Sequence, residues 1–217
     1  MKTISVVSLK GGAGKTTVAF NLALAGWSRG HRVLVADADP QGSCLAALKV
    51  RERPGPEFVA ATAGRLFQIQ QGAARDGVDI LVIDTPARAD AGLAEAIRLA
   101  DLCLAVARPT FLDLIVVTQT IDAVRRLRRD GLVVLNQAPS RRGGMDPAIV
   151  VKARLALEHT GFDVAGVVIR TRAAFQASLC LGVGAEEWRD PAAAEEIVAL
   201  WSELASRLHL PPSAERH

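Results

Sequence analysis

Six short apolar runs constrain this chain more than any other feature. They cover residues 4–8, 33–36, 80–83, 102–107, 132–135 and 164–169. Each is rich in β-branched residues, continuous rather than alternating, and bounded by turn residues. Such runs read as strands buried on both faces. Between them, residues 15–29, 91–99, 112–129 and 148–160 carry helical patterns. A last helix is signalled by Asp190 as cap, Pro191 in the first turn, and Glu195 and Glu196 near the positive end. Its inner face would be Ile197, Leu200, Trp201, Leu204 and Leu208, and Pro211-Pro212 would end it. Strands alternating with helices predict βαβ units. The fold class expected is therefore α/β, with a doubly wound, mostly parallel sheet, helices on both faces and right-handed crossovers. A chain of 217 residues suits one domain. The division expected is a domain over residues 1–210 and a short polar tail over 211–217. Pro54-Gly55-Pro56 and Ser140-Arg141-Arg142-Gly143-Gly144 read as loops.

Half of the residues are hydrophobic but only 4% are aromatic, so the core must be aliphatic. Cys44, Cys103 and Cys180 are odd in number and far apart, with no C-x-x-C pair. That argues against a disulfide framework or a zinc site, and all three are expected in the core. The N-terminal apolar stretch is short and is followed by glycines rather than a cleavage site, so it does not read as a signal peptide. No run approaches the roughly 18 apolar residues of a spanning helix. A soluble, cytoplasmic protein is expected. Net charge is +3, but residues 125–172 hold ten Lys/Arg against four acids. This basic half hints at a polyanionic partner.

The run at residues 4–8 leads into Leu9-Lys10-Gly11-Gly12-Ala13-Gly14-Lys15-Thr16-Thr17 and then a helix. Glycines let the backbone curl so that several N–H groups point at one anion, and the helix adds the positive end of its dipole. Gly11, Gly12, Ala13, Gly14, Lys15, Thr16 and Thr17 form a candidate phosphate loop. Lys15 could reach the β- and γ-phosphates, and the Thr16 hydroxyl could ligate Mg²⁺. The strict pattern G-x-x-x-x-G-K-[ST] fails because position 9 is Leu9.

What stands instead, K-G-G-x-G-K-T-T, resembles the deviant Walker A loop of the ParA/MinD superfamily of P-loop ATPases. The resemblance implies ATP and Mg²⁺ as cofactors. It also implies that Lys10 reaches across an ATP-bound homodimer to the partner's phosphates. Val33-Leu34-Val35-Ala36-Asp37-Ala38-Asp39-Pro40-Gln41-Gly42-Ser43 is similar to the family's second motif, D-x-D-P-Q-G. By that likeness Asp39 positions the attacking water and Asp37 supports the magnesium shell. Ile80-Leu81-Val82-Ile83-Asp84-Thr85-Pro86-Ala87 resembles the Walker B strand, although Ala87 stands where the family usually has a second proline. The implied metal set is Thr16, Asp37, Asp39 and Asp84, and the implied catalytic set is Lys10, Lys15 and Asp39. Asn136, after the run at 132–135, corresponds to an asparagine that faces adenine in relatives. Pro109-Thr110-Phe111-Leu112-Asp113 resembles the P-x-x-x-D segment before a long helix. The likeness spans nearly the whole chain and is looser after Ala107.

Three branches of the superfamily fit poorly. MinD-like members end in a basic amphipathic membrane helix, which Pro211, Pro212 and a polar tail cannot form. Iron–sulfur relatives need exposed bridging cysteines. The tyrosine kinases need tyrosine, and this chain has none. The ParA-type partition and positioning ATPases remain, the short N-terminus matching the small subclass. That implies nonspecific DNA binding in the ATP state, with Arg141, Arg142, Lys152, Arg154, Arg170 and Arg172 as candidate phosphate contacts. It also implies a nucleoid-associated location, no membrane attachment, and slow hydrolysis accelerated by an adaptor protein linked to a cargo. The cargo could be a plasmid, a chromosome locus or a protein cluster. The alternatives are a nucleotide-gated protein-binding module without a DNA role, or a MinD-like membrane cycle.

Overall fold

The computed structural model describes residues 1–211. In chain order its elements are β1 (Lys2–Val7), α1 (Lys15–Ser28), β2 (Val33–Asp37), α2 (Ser43–Lys49), β3 (Glu57–Ala60), α3 (Leu66–Arg75), β4 (Ile80–Asp84) and α4 (Ala91–Leu99). They continue with β5 (Leu102–Ala107), α5 (Phe111–Arg126), β6 (Gly131–Ala138), α6 (Ala148–Glu158), β7 (Val164–Arg170), α7 (Ala173–Cys180) and α8 (Pro191–Arg207). Among the described residues the strands form one seven-stranded sheet in the order β3-β2-β4-β1-β5-β6-β7, and each neighbouring pair is parallel. The expected α/β doubly wound fold is what the chain adopts. The tail residues 212–217 lie outside the described residues.

The continuous apolar runs are explained by burial on both faces. Along β5, Leu104 and Val106 join a layer with α1 and α8, while Cys103 and Ala105 join a layer with α4, α5 and α6. Along β6, Leu132 and Val134 face the first layer, and Val133 and Leu135 face the second. A smaller cluster under α3 takes Ala36, Leu81 and Ile83.

Sequence reading missed β3, α2, α3 and α7. It did find α8, whose Asp190 carboxylate accepts the Ala193 N–H at 3.1 Å and whose first turn holds Pro191. Cys180 departs from expectation. It is the last residue of α7 and is exposed, so it is no core residue, whereas Cys44 and Cys103 are buried. Among the described residues, no helix is long and apolar enough to cross a membrane.

One contact fixes how closely α8 approaches α1. Trp201, buried on α8, lies over Gly26 of α1, and a Cβ at Gly26 would sit 2.8 Å from its ring. Glycine is unfavourable in a helix, so its presence here reflects that approach. Gly26→Ala is expected to destabilise the protein by about 1–3 kcal/mol through overpacking. In a Trp201→Leu background the same change should be neutral or stabilising, because alanine is favoured over glycine in helices by about 1 kcal/mol. Urea unfolding of the four proteins measures this, and an equal cost in both backgrounds would contradict the packing.

Candidate active site

β1 lies beside β4, and the connections from their carboxyl ends run in opposite directions, β1 leading to β2 on one side and β4 to β5 on the other. Such a switch point opens a crevice where ligands bind in α/β sheets. The glycine-rich loop fills it. Gly12 and Gly14 have φ of 76° and 94°, the left-handed region that side chains disfavour. Gly14 is doubly constrained, since a Cβ there would lie 2.1 Å from Asn136 Nδ2. Gly14 O accepts the Val18 N–H at 3.0 Å and starts α1, whose first turn leaves N–H groups without helical partners. These groups and the helix dipole favour an anion at the loop. At the loop's entry, Leu9 N–H donates to Thr120 Oγ1 of α5 at 3.3 Å.

Lys15 is buried, with 7% of its surface exposed. Burial pulls its pKa below the ordinary lysine value, and the charges of Asp84 and Asp39 oppose that. Asp84 ends β4 in register with Val6 of β1, so the strand pairing itself sets it beside the loop. Its Oδ2 accepts the Thr16 hydroxyl at 2.7 Å. Its Oδ1 is buried and, among the described residues, has no hydrogen-bond partner. Burial pushes the carboxyl up to about 7, against the Thr16 hydrogen bond and the charge of Lys15, while Asp37 and Asp39 add to the rise. An unpartnered buried carboxylate oxygen next to a hydroxyl suits a hard divalent cation. Mg²⁺ takes one or two protein ligands and completes its shell with phosphate and water oxygens. The residues present therefore fit MgATP, with the loop and Lys15 holding phosphates and Thr16 and Asp84 on the metal side.

The second motif divides its labour. Asp37 Oδ1 accepts the Asp39 N–H at 3.1 Å, and Oδ2 accepts the Leu45 N–H at 3.0 Å. Both its oxygens are thus engaged in ordering the turn into α2, a task the sequence did not reveal. Asp39 is half-buried and accepts the Gln41 N–H at 3.0 Å. Its charge acts on both Lys15 and Asp84, so it lies near them at the edge of the site.

The tip of β6 closes the loop from the other side. Asn136 Nδ2 donates to Ala13 O at 2.8 Å, so its amide braces the phosphate loop. Gln137 Nε2 donates to Gly12 O at 3.0 Å, a contact that sequence reasoning overlooked. Two adjacent amides at a strand's carboxyl end were the available signal. Near Lys10, Asp113 at the start of α5 is held by Arg108 at 2.9 and 3.2 Å and by the Thr110 hydroxyl. Burial raises the Asp113 pKa, but these partners and the charge of Lys10 outweigh it and hold the carboxyl below its usual range.

The six basic candidates separate. Arg141, Arg142 and Lys152 are exposed. Arg142 and Lys152 have no ion pair among the described residues, and Arg141 pairs with Asp146 at 3.1 Å. Arg154 is half-buried and donates to Ala165 O and Gly166 O. Arg170 is only 5% exposed, and its guanidinium is taken by Pro139 O and Asp146. Arg172 is held by Glu196 at 2.7 Å. In this conformation Arg170 is a structural tie between β7 and the 139–146 loop and does not reach the surface.

The model of the CobQ/CobB/MinD/ParA nucleotide binding domain matches residues 4–182. The chain belongs to this family. Two curated relatives match over nearly their full length. Both are named maintenance of carboxysome distribution protein A. The one from Gloeobacter kilaueensis is 32% identical over 197 residues, covering 89% of this chain and 88% of its own. The one from Halothiobacillus neapolitanus is 30% identical over 216 residues, covering 93% and 95%. Among solved structures, Cyanothece apo McdA superposes with a TM-score of 0.80 at 18% identity, over 94% of this chain and 99% of that one. As a ParA/MinD-type member with an intact loop, Lys15, Thr16 and Asp84, the chain is an ATPase that uses ATP and Mg²⁺.

The raised Asp84 pKa has a measurable signature in the nucleotide-free protein. The folded state keeps a proton that the unfolded carboxyl, with its ordinary value of 3.8, gives up. Stability should therefore fall as pH rises from near 4 to about 7. Asp84→Asn is expected to flatten that decline and to abolish magnesium-dependent ATP affinity. Urea midpoints across this pH range, with ATP titrations with and without Mg²⁺, provide the check. A slope identical to wild type would contradict the assignment.

Proposed function

We propose that this ATPase is an ATP-driven dimer switch that binds nonspecific DNA in its ATP state and distributes a large protein assembly along it. The observation that carries the reading is the near full-length similarity to two proteins named for carboxysome distribution. A carboxysome-like protein assembly is the cargo this favours over a plasmid.

In the proposed cycle MgATP fills two loops facing each other across a two-fold axis. Each Lys10 neutralises charge on the partner's nucleotide. Phe111 and Leu112, 76% and 65% exposed at the start of α5, stand close to Asp113 and offer apolar area that a second copy would cover. Asp39 orients the attacking water, and Lys10 and Lys15 stabilise charge developing on the phosphates. Loss of the γ-phosphate removes contacts that hold the dimer, which then releases DNA. Turnover is slow because no dedicated general base faces the site among the described residues, and an adaptor protein on the cargo accelerates it.

The DNA surface proposed is the exposed basic loop and helix of Arg141, Arg142 and Lys152, with Arg154 at its margin. Dimerisation doubles these contacts, and each phosphate contact adds to the salt dependence. Arg170 and Arg172 shape this region through Asp146 and Glu196 and contribute no direct contact.

A band-shift assay with random-sequence duplex tests the reading. Binding is expected with MgATP, weak with MgADP, and steeply lower between 50 and 200 mM salt, by roughly a thousandfold if six phosphates are contacted. Arg142→Glu combined with Lys152→Glu should weaken it at least about tenfold while ATP affinity is kept. Binding that is absent, or equal with ATP and ADP, would refute the DNA role and leave a nucleotide-gated protein-binding module. ATP-dependent sedimentation with anionic vesicles would favour a membrane cycle instead.

A further inference from the structure

Consecutive side chains of a strand point to opposite faces of its sheet. Asn136 and Gln137 break that rule, because both amides reach the same loop. Two backbone features allow it. The pairing of β6 with β7 shifts register between Leu135 and Ala138, and Gln137 takes a φ of 50°. Irregularities of this kind re-aim side chains, often beside active sites. Among the described residues, the other non-glycine positions with positive φ are Arg128 and His209, each just past a helix end where the left-handed conformation is ordinary. Gln137 lies inside a strand, where that conformation is unfavourable for a residue with a Cβ.

The consequence follows from peptide planarity. A carbonyl and the N–H of the next residue point in opposite directions across one rigid peptide plane. Holding Gly12 O therefore aims the Ala13 N–H, and holding Ala13 O aims the Gly14 N–H. The loop lies on flexible glycines, Gly12 and Gly14 both at positive φ, so nothing within it fixes those planes.

We propose that Gln137 is a positioning residue for the ATP phosphates, its amide holding the Gly12 carbonyl so that the Ala13 N–H faces them. Asn136 does the same for the next peptide from its buried position. The role of Gln137 requires ATP binding alone and stands apart from the DNA and cargo readings. It acts on the phosphate loop and not on the base, so it should serve any nucleoside triphosphate alike.

Two variants of the full chain test this by calorimetric titration with MgATP and MgGTP. Gln137→Gly removes the amide and relieves the backbone conformation. Gln137→Met keeps the length and removes only the donor. Both are expected to weaken MgATP about tenfold, with MgGTP weakened by the same factor. The nucleotide-free melting temperature of Gln137→Gly should equal or exceed that of wild type. Three results would each overturn the proposal. MgATP affinity within twofold of wild type in both variants would make the contact idle. A collapse of ATP-over-GTP preference would make Gln137 a base reader. A lowered melting temperature of Gln137→Gly accompanying its weaker binding would make its role merely structural.

Discussion

A loop that turns its N–H groups toward one anion must turn its carbonyls away, and those carbonyls need partners. In this chain the partners come from outside the loop. β1 delivers the loop at the switch point, and the tip of β6 supplies two amides that accept no part in the sheet and instead hold Gly12 and Ala13. Thr120 of α5 meets the loop at Leu9. The order of strands is thus a prerequisite for the site. A sheet with β6 elsewhere would leave the glycines free to choose other peptide orientations.

The electrostatics follow from the same crowding. Lys15, Asp84 and Asp37 are buried within one small region, and Asp39 sits at its margin. Without ligand, burial penalises each buried charge: it raises the carboxyls, Asp84 to about 7, and lowers the lysine. A divalent cation gives Asp84 Oδ1 the partner it lacks, and phosphates give Lys15 its anion. Such a site is destabilising when alone and regains stability on binding, rising with the logarithm of ligand concentration over its dissociation constant.

Much of this was legible in the sequence, and the gaps have physical reasons. The β-branched runs revealed the strands because both faces of a parallel sheet demand apolar residues. β3 escaped notice because Glu57-Phe58-Val59-Ala60 is a short edge strand, largely exposed and preceded by proline. α3 carries Leu66, Ile69 and Ala73 at helical spacing, a signal that was present and was overlooked. In the site, Lys15, Thr16 and Asp84 are adjacent to their strands and were readable from local pattern. Asn136 was expected at the adenine; that its Nδ2 braces the loop at Ala13 O was not foreseen, a pairing across 123 residues that no spacing encodes. Arg170 looked like a surface cation because its partner Asp146 lies 24 residues away, on a loop whose fold the sequence did not specify. Cys180 was misjudged because an apolar stretch at a helix end can face solvent.

The proposed two-subunit switch depends on Lys10 more than on any glycine, since its reach to the partner's nucleotide is what would turn one site into half of a pair. Sedimentation velocity of wild type and Lys10→Ala, each with saturating MgATP or MgADP, addresses it directly. Wild type should sediment as a dimer with MgATP and a monomer with MgADP, and Lys10→Ala as a monomer with both while still binding nucleotide. Dimers of Lys10→Ala equal to those of wild type, or a wild type that stays monomeric with MgATP, would contradict it.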